Sequence, residues 1–107
     1  MANQVHQIVA TDILFYHQND ERAFVEWIER MPFVSESYGA GGDLFIQFSR
    51  FPTDEDIWEL IGFCRRYRVE MTQLGSFLTD ANRGWFFDHN MYWFAEIFGS
   101  QKPANGS

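Results

Sequence analysis

Apolar and polar positions change period several times along this chain, and the changes mark its elements. Residues 8–16 hold a β-branched and aromatic run that predicts a strand, best from Asp12 to Tyr16. Asn19 or Asp20 then caps a helix running to about Met31, with Phe24, Trp27, Ile28 and Met31 at i, i+3, i+4 and i+7 on one apolar face. Pro32 stops it. Val34 to Tyr38 reads as a short strand and Gly39-Ala40-Gly41-Gly42 as a hairpin turn. Asp43 to Ser49 sets Leu44, Ile46 and Phe48 on one side and Phe45 with Gln47 on the other, the two-sided apolar character of an interior strand.

Thr53 opens a second helix, with Asp56 three residues on in an acidic relative of the capping box. Its buried stripe is Ile57, Leu60, Ile61 and Cys64, and it ends near Tyr67. Val69 to Leu78 predicts a last strand, where Gly75 suggests a bulge. Residues 85–98 predict a short helix over their second half, capped by Asp88 or Asn90. The order strand, helix, strand, hairpin, strand, helix, strand predicts an α+β fold. Its arrangement is the ferredoxin-like two-layer sandwich (βαββαβ), with an extra aromatic C-terminal helix. Residues 1–98 form one domain in this reading, and 99–107 a disordered polar tail.

Composition narrows the classes. A chain of 107 residues supplies one core, and 19% aromatics exclude a disordered acidic tail. One cysteine excludes an internal disulfide framework. The start lacks the basic head and apolar run of a secretory signal, and no apolar stretch reaches the roughly 20 residues of a membrane span. The expectation is a cytoplasmic protein that does not engage membranes.

Charge is the feature closest to function. Up to Cys64 there are eleven carboxylates against Arg22, Arg30 and Arg50, whereas the remainder is nearly balanced, for a net charge of −7. Such a surface attracts cationic partners and repels nucleic acid. Some acids serve helix starts: Asp20, Glu21, Asp54, Glu55 and Asp56 lie there, with Arg30 and Arg65-Arg66 at the opposite ends. Glu36 and Asp43 flank the hairpin, and Glu59 lies off its helix's apolar stripe. Trp58, at the margin of that stripe and ringed by acids, is either an anchor for a basic partner or a residue packed at the core margin. The expected partner-binding residues are Asp54, Glu55, Trp58 and Glu59, then Glu36 and Asp43. Trp85, Phe86, Phe87 and Tyr92 exceed what one helix face needs.

Catalytic and metal signals are weak. Cys64 sits late in a helix on the apolar stripe, as a small buried hydrophobe. His17 with Asp20 is the one acid–base pairing in view, and no His-x-x-x-His or Cys-x-x-Cys occurs. The glycine-rich stretch lies between strands, unlike a phosphate cradle. The expectation is a protein without enzymatic activity, cofactor or metal.

The chain resembles the small acidic immunity proteins that bacteria encode beside toxin domains, particularly those of contact-dependent growth inhibition. The segments that carry the resemblance are Asp12-Ile-Leu-Phe-Tyr leading to Asn19-Asp20-Glu21-Arg22-Ala23-Phe24, the glycine-rich turn before Asp43-Leu44-Phe45-Ile46, and Phe63-Cys64-Arg65-Arg66-Tyr67 leading to Met71-Thr72-Gln73-Leu74. It implies a cytosolic, non-enzymatic inhibitor; with the acidic charge, the expected function is to bind and neutralise a basic nuclease toxin. The alternative is a ferredoxin-like regulatory or ligand-sensing domain that forms a homodimer through its sheet.

Overall fold

Alternating positions build a three-stranded antiparallel sheet from β1 (His6–Thr11), β2 (Val34–Ala40) and β3 (Asp43–Phe48), in the order β1-β3-β2. The computed structural model describes residues 6–99. β3 is the interior strand, as its two-sided apolar pattern predicts. Ile8, Ala10, Ile46 and Phe48 are buried on the inner face. Val9, Phe45 and Tyr38, aligned across the sheet in register, occupy the outer face. Gly41 and Gly42 turn the hairpin with φ of 62° and 89°, the sign pattern of a primed turn that a Cβ would strain. Ser35 forms a bulge in β2, its hydroxyl donating to the Gln47 carbonyl.

β1 lies earlier than the apolar run predicts. Thr11 pairs with Asp43, the first residue of β3, so no partner strand remains for residues 12–16. Asp12 takes φ 54° and the chain leaves the sheet as a loop. Ile13 and Phe15 pack on the core, while Leu14 and Tyr16 face outward.

Two helices cover the inner face. The N-cap of α1 (Gln18–Arg30) lies two residues before Asn19 and three before Asp20, the expected caps: it is His17, its Nδ1 accepting from Asn19 N at 3.0 Å. Asp20 instead accepts from the Tyr16 amide. α2 (Asp54–Tyr67) begins with the full capping box, Thr53 and Asp56 each accepting from the other's backbone N–H. It ends at Arg68 in the left-handed region, φ 60°, where the Val69 amide donates to Cys64 O. Phe24 of α1 stacks on Phe63 of α2 at 5.1 Å, and Trp27 meets the same ring edge-on.

The expected last strand is a 3₁₀-helix, Met71–Phe77. Met71, Leu74 and Phe77 are its buried residues, spaced by three, and a helix of three residues per turn puts them on one face. The sheet therefore has no fourth strand among the described residues. The free edge of β1 meets Gln73 instead. Its Oε1 accepts from Val9 N at 2.8 Å and its Nε2 donates to Val9 O at 2.9 Å, so one side-chain amide makes the two bonds that a neighbouring strand would make there.

The C-terminal aromatic segment forms two short helices, α3 (Arg83–Phe86) and α4 (Phe94–Phe98). Neither Asp88 nor Asn90 caps α4; Asp88 accepts from the Asn90 amide within the preceding turn. Phe86, Trp93, Ile97 and Phe98 are buried, and the segment packs on the 3₁₀-helix and α2. The polar tail from residue 100 lies outside the described residues.

Candidate functional site

The capping box fixes where the first turn of α2 presents its side chains. Asp54 and Glu55 are exposed and belong to no ion pair among the described residues. Trp58, one turn on, is 45% exposed. One ring face stacks on Trp85 at 5.3 Å and 10° between planes, and Trp93 meets it edge-on at 4.7 Å. The surplus rings of the C-terminal segment thus hold this Trp in place and leave part of it to solvent. Thr53, Asp54, Glu55 and Trp58 line a shallow hollow of about 500 Å³. Three of the six expected partner residues meet here.

Glu59 does not join them. Its Oε2 accepts from Trp27 Nε1 at 2.9 Å, in a part-buried link between α2 and α1, so this carboxylate serves the fold. Glu36 and Asp43 lie on the outer face of the sheet, on the opposite side from the helices. Glu36 is exposed beside Gln47, and Asp43 accepts from the Thr11 hydroxyl at 2.9 Å. Between them Tyr38 stacks on Phe45 at 5.3 Å. The expected residues therefore make two separate patches. Charge periodicity could not separate them, because it carries no information on which layer a residue faces.

A third exposed feature lies in the β1–α1 loop, where Leu14 and Tyr16 are 66% and 84% exposed. Its sequence signal is the same apolar run that predicts a strand. An apolar run without a partner strand becomes a display.

The acids are mostly left uncompensated. Of the eleven before Cys64, only Asp20, beside Arg66 at 3.9 Å, and Asp56, 3.1 Å from Arg50, enter ion pairs among the described residues. Asp56 is also buried and spent on the cap. The later basic cluster is largely occupied. Arg65 pairs with Glu96 and lies over Tyr92, and Arg66 lies over Tyr67.

Groups with nucleophilic or acid–base chemistry are tied into the fold. Burial pushes the Cys64 thiol up to about 12 from 9.0, and the buried side chain has no access to a substrate. His17 and Asp20 cap and brace the start of α1. Among the described residues no group of three or more His, Cys, Asp and Glu side chains is placed to hold a metal ion, and no helix is long and apolar enough to cross a membrane.

Cys64 gives a pH prediction. The folded state keeps the thiol protonated, whereas the unfolded chain releases its proton above about 9. The stabilisation is therefore complete below that pH and is lost as pH rises toward 12. Between those limits wild type should lose about 1.4 kcal/mol per pH unit relative to Cys64→Ala. Parallel denaturation midpoints of the two proteins at pH 8, 9 and 10 check this, and a constant difference would refute it.

Comparison with known proteins finds no matching family model, no matching curated protein and no matching solved structure.

Proposed function

We propose that this chain is a non-enzymatic binding protein that neutralises a basic protein, a nuclease toxin, from within the cytoplasm. The observation that carries the reading is the uncompensated charge. Nine of the eleven acids before Cys64 have no basic partner within the described fold, so the negative potential acts outward. Asp54 and Glu55 would steer a cationic cleft onto the start of α2. Trp58, already immobilised by Trp85 and Trp93, would be buried at little cost in side-chain entropy. Carboxylates in this position compete for the arginines and lysines a nuclease uses on phosphate. As a fold, the arrangement reads as a ferredoxin-like domain in which Gln73 stands where a fourth strand would pair.

The test takes the C-terminal domain of the protein encoded by the reading frame immediately upstream, which this reading expects to be toxic when produced alone. Cells producing it should grow when this chain is co-produced, and the two purified proteins should form a complex. Reversing Asp54 and Glu55 to Lys should slow association at least ten-fold at low salt and flatten its salt dependence. Absence of both rescue and complex overturns the reading. Rescue with unchanged association in the double variant moves the interface elsewhere.

A second reading rests on the outer sheet face, where no helix among the described residues covers the row of Val9, Phe45 and Tyr38. A regulatory domain that pairs through this face would be a dimer by light scattering, and Tyr38→Lys would make it a monomer.

A further inference from the structure

The β1–α1 loop, the start of α1 and the β2–β3 turn enclose an open groove of about 550 Å³. Its walls include Ile13, Phe15, Phe24, Val25 and Leu44, while Asp12, Glu21 and Asp43 stand among the same lining residues. No lysine or arginine lines it. None of the three carboxylates is in an ion pair among the described residues; Asp43 alone has a polar partner, the Thr11 hydroxyl. The glycines of the turn close one end with backbone and no side chains. Leu14 and Tyr16 stand exposed on the same loop. They line a separate hollow with Arg66 and Arg68, so the apolar character of the groove rests on Ile13, Phe15, Phe24, Val25 and Leu44.

We infer that this groove seats a short amphipathic basic segment of a partner protein, its apolar side chains in the trough and its lysines or arginines on the carboxylates. Charge fixes the class of occupant. An acidic or purely apolar segment would leave the carboxylates of Asp12 and Glu21 facing either like charge or a desolvating surface with no countercharge, while Asp43 turns to the outer sheet face and Thr11. A cationic segment satisfies both the trough and its acids. The groove lies at the turn end of the sheet and the first turn of α1, on residues distinct from those at the start of α2, so it is a second contact surface. The inference takes only the positive charge of the partner from the proposed function.

The experiment is an NMR titration of the intact chain with acetyl-Lys-Leu-Lys-Leu-Lys-amide, with the Glu-for-Lys peptide as comparison. The basic peptide should shift the amides of residues 12–16, 21–25 and 41–44 well beyond those of residues 54–58. The acidic peptide should shift neither set. Neutralising the rim by Asp12→Asn with Glu21→Gln should weaken binding roughly ten-fold, while Glu29→Gln with Asp80→Asn, which removes equal charge at exposed positions away from both surfaces, should change it less than two-fold. Asparagine accepts the left-handed backbone of position 12, so the rim variant keeps the fold. Equal response to both peptides, shifts centred elsewhere, or equal loss in the two variants would each overturn the inference. A dimer in the free protein with the groove amides protected would also overturn it, by making a second copy the occupant. Peptide binding in the groove without growth rescue leaves the groove standing and removes the toxin reading; rescue without groove shifts does the reverse.

Discussion

Trp93→Ala should lower the unfolding free energy by about 3–5 kcal/mol, the range for deleting a buried indole. Trp93 is 0% exposed. Its Nε1 donates to the Phe86 carbonyl at 3.0 Å, a buried bond that fastens the α3–α4 turn to itself. Its ring also supports Trp58 and Trp85 from the side, at 4.7 and 6.0 Å. Truncation opens a cavity, orphans a carbonyl and removes the base on which Trp58 stands. Against a typical total of about 5–15 kcal/mol the loss is a large fraction. Urea denaturation read by far-UV circular dichroism gives the value, and a change below about 1 kcal/mol would show that the C-terminal segment is not integrated with the core. Trp93→Phe separates the two contributions: it keeps most of the packing and loses the hydrogen bond, so its cost should be about 1–3 kcal/mol. Because Trp58 belongs to the proposed partner surface, the Ala variant should also weaken complex formation in the temperature range where it remains folded.

What could be read from the sequence was local. The capping box of Thr53 and Asp56 lies within four residues, and the structure has it bond for bond. The glycine turn is equally local, since two consecutive residues at φ of 62° and 89° are adopted most readily by glycine. What failed was set at long range. Residues 12–16 have the composition of a strand, but β3 ends opposite Thr11, and the register that decides this spans 32 residues. Glu59 looks free on a helical wheel, yet Trp27 claims it from another helix. Met71, Leu74 and Phe77 fit a period of three, while Val69, Met71 and Gln73 fit a period of two. In the structure the helical period prevails, and it sets the Gln73 amide against the Val9 backbone. The candidate surface at the start of α2 shows the same division. Charge and an aromatic residue drew attention to the start of α2, but the rings that hold Trp58 come from a segment 27 and 35 residues downstream, at Trp85 and Trp93.

Gln73→Leu should cost about 2–3 kcal/mol, because it leaves both the Val9 N–H and the Val9 carbonyl without partners at a part-buried sheet edge. The volume change is small, so the loss is one of pairing. Gln73→Glu tests that attribution. The introduced carboxylate keeps the shape and the acceptor for Val9 N–H, but it faces two carbonyls, Val9 O and Glu70 O, to which Nε2 now donates. Protonation restores one donor. Facing acceptors and without a countercharge, the introduced carboxyl has a folded pKa above the unfolded value of roughly 4.3. The stability it confers is then present below that value and lost as pH rises through the folded pKa. The Glu variant should therefore match or exceed the Leu variant's deficit at pH 7 and recover by about 1 kcal/mol or more on acidification toward pH 4, measured against wild type at each pH. The Leu variant's deficit should stay flat over the same range. Parallel behaviour of the two variants would mean that the edge of β1 is held by packing of the 3₁₀-helix, with the amide pair contributing little.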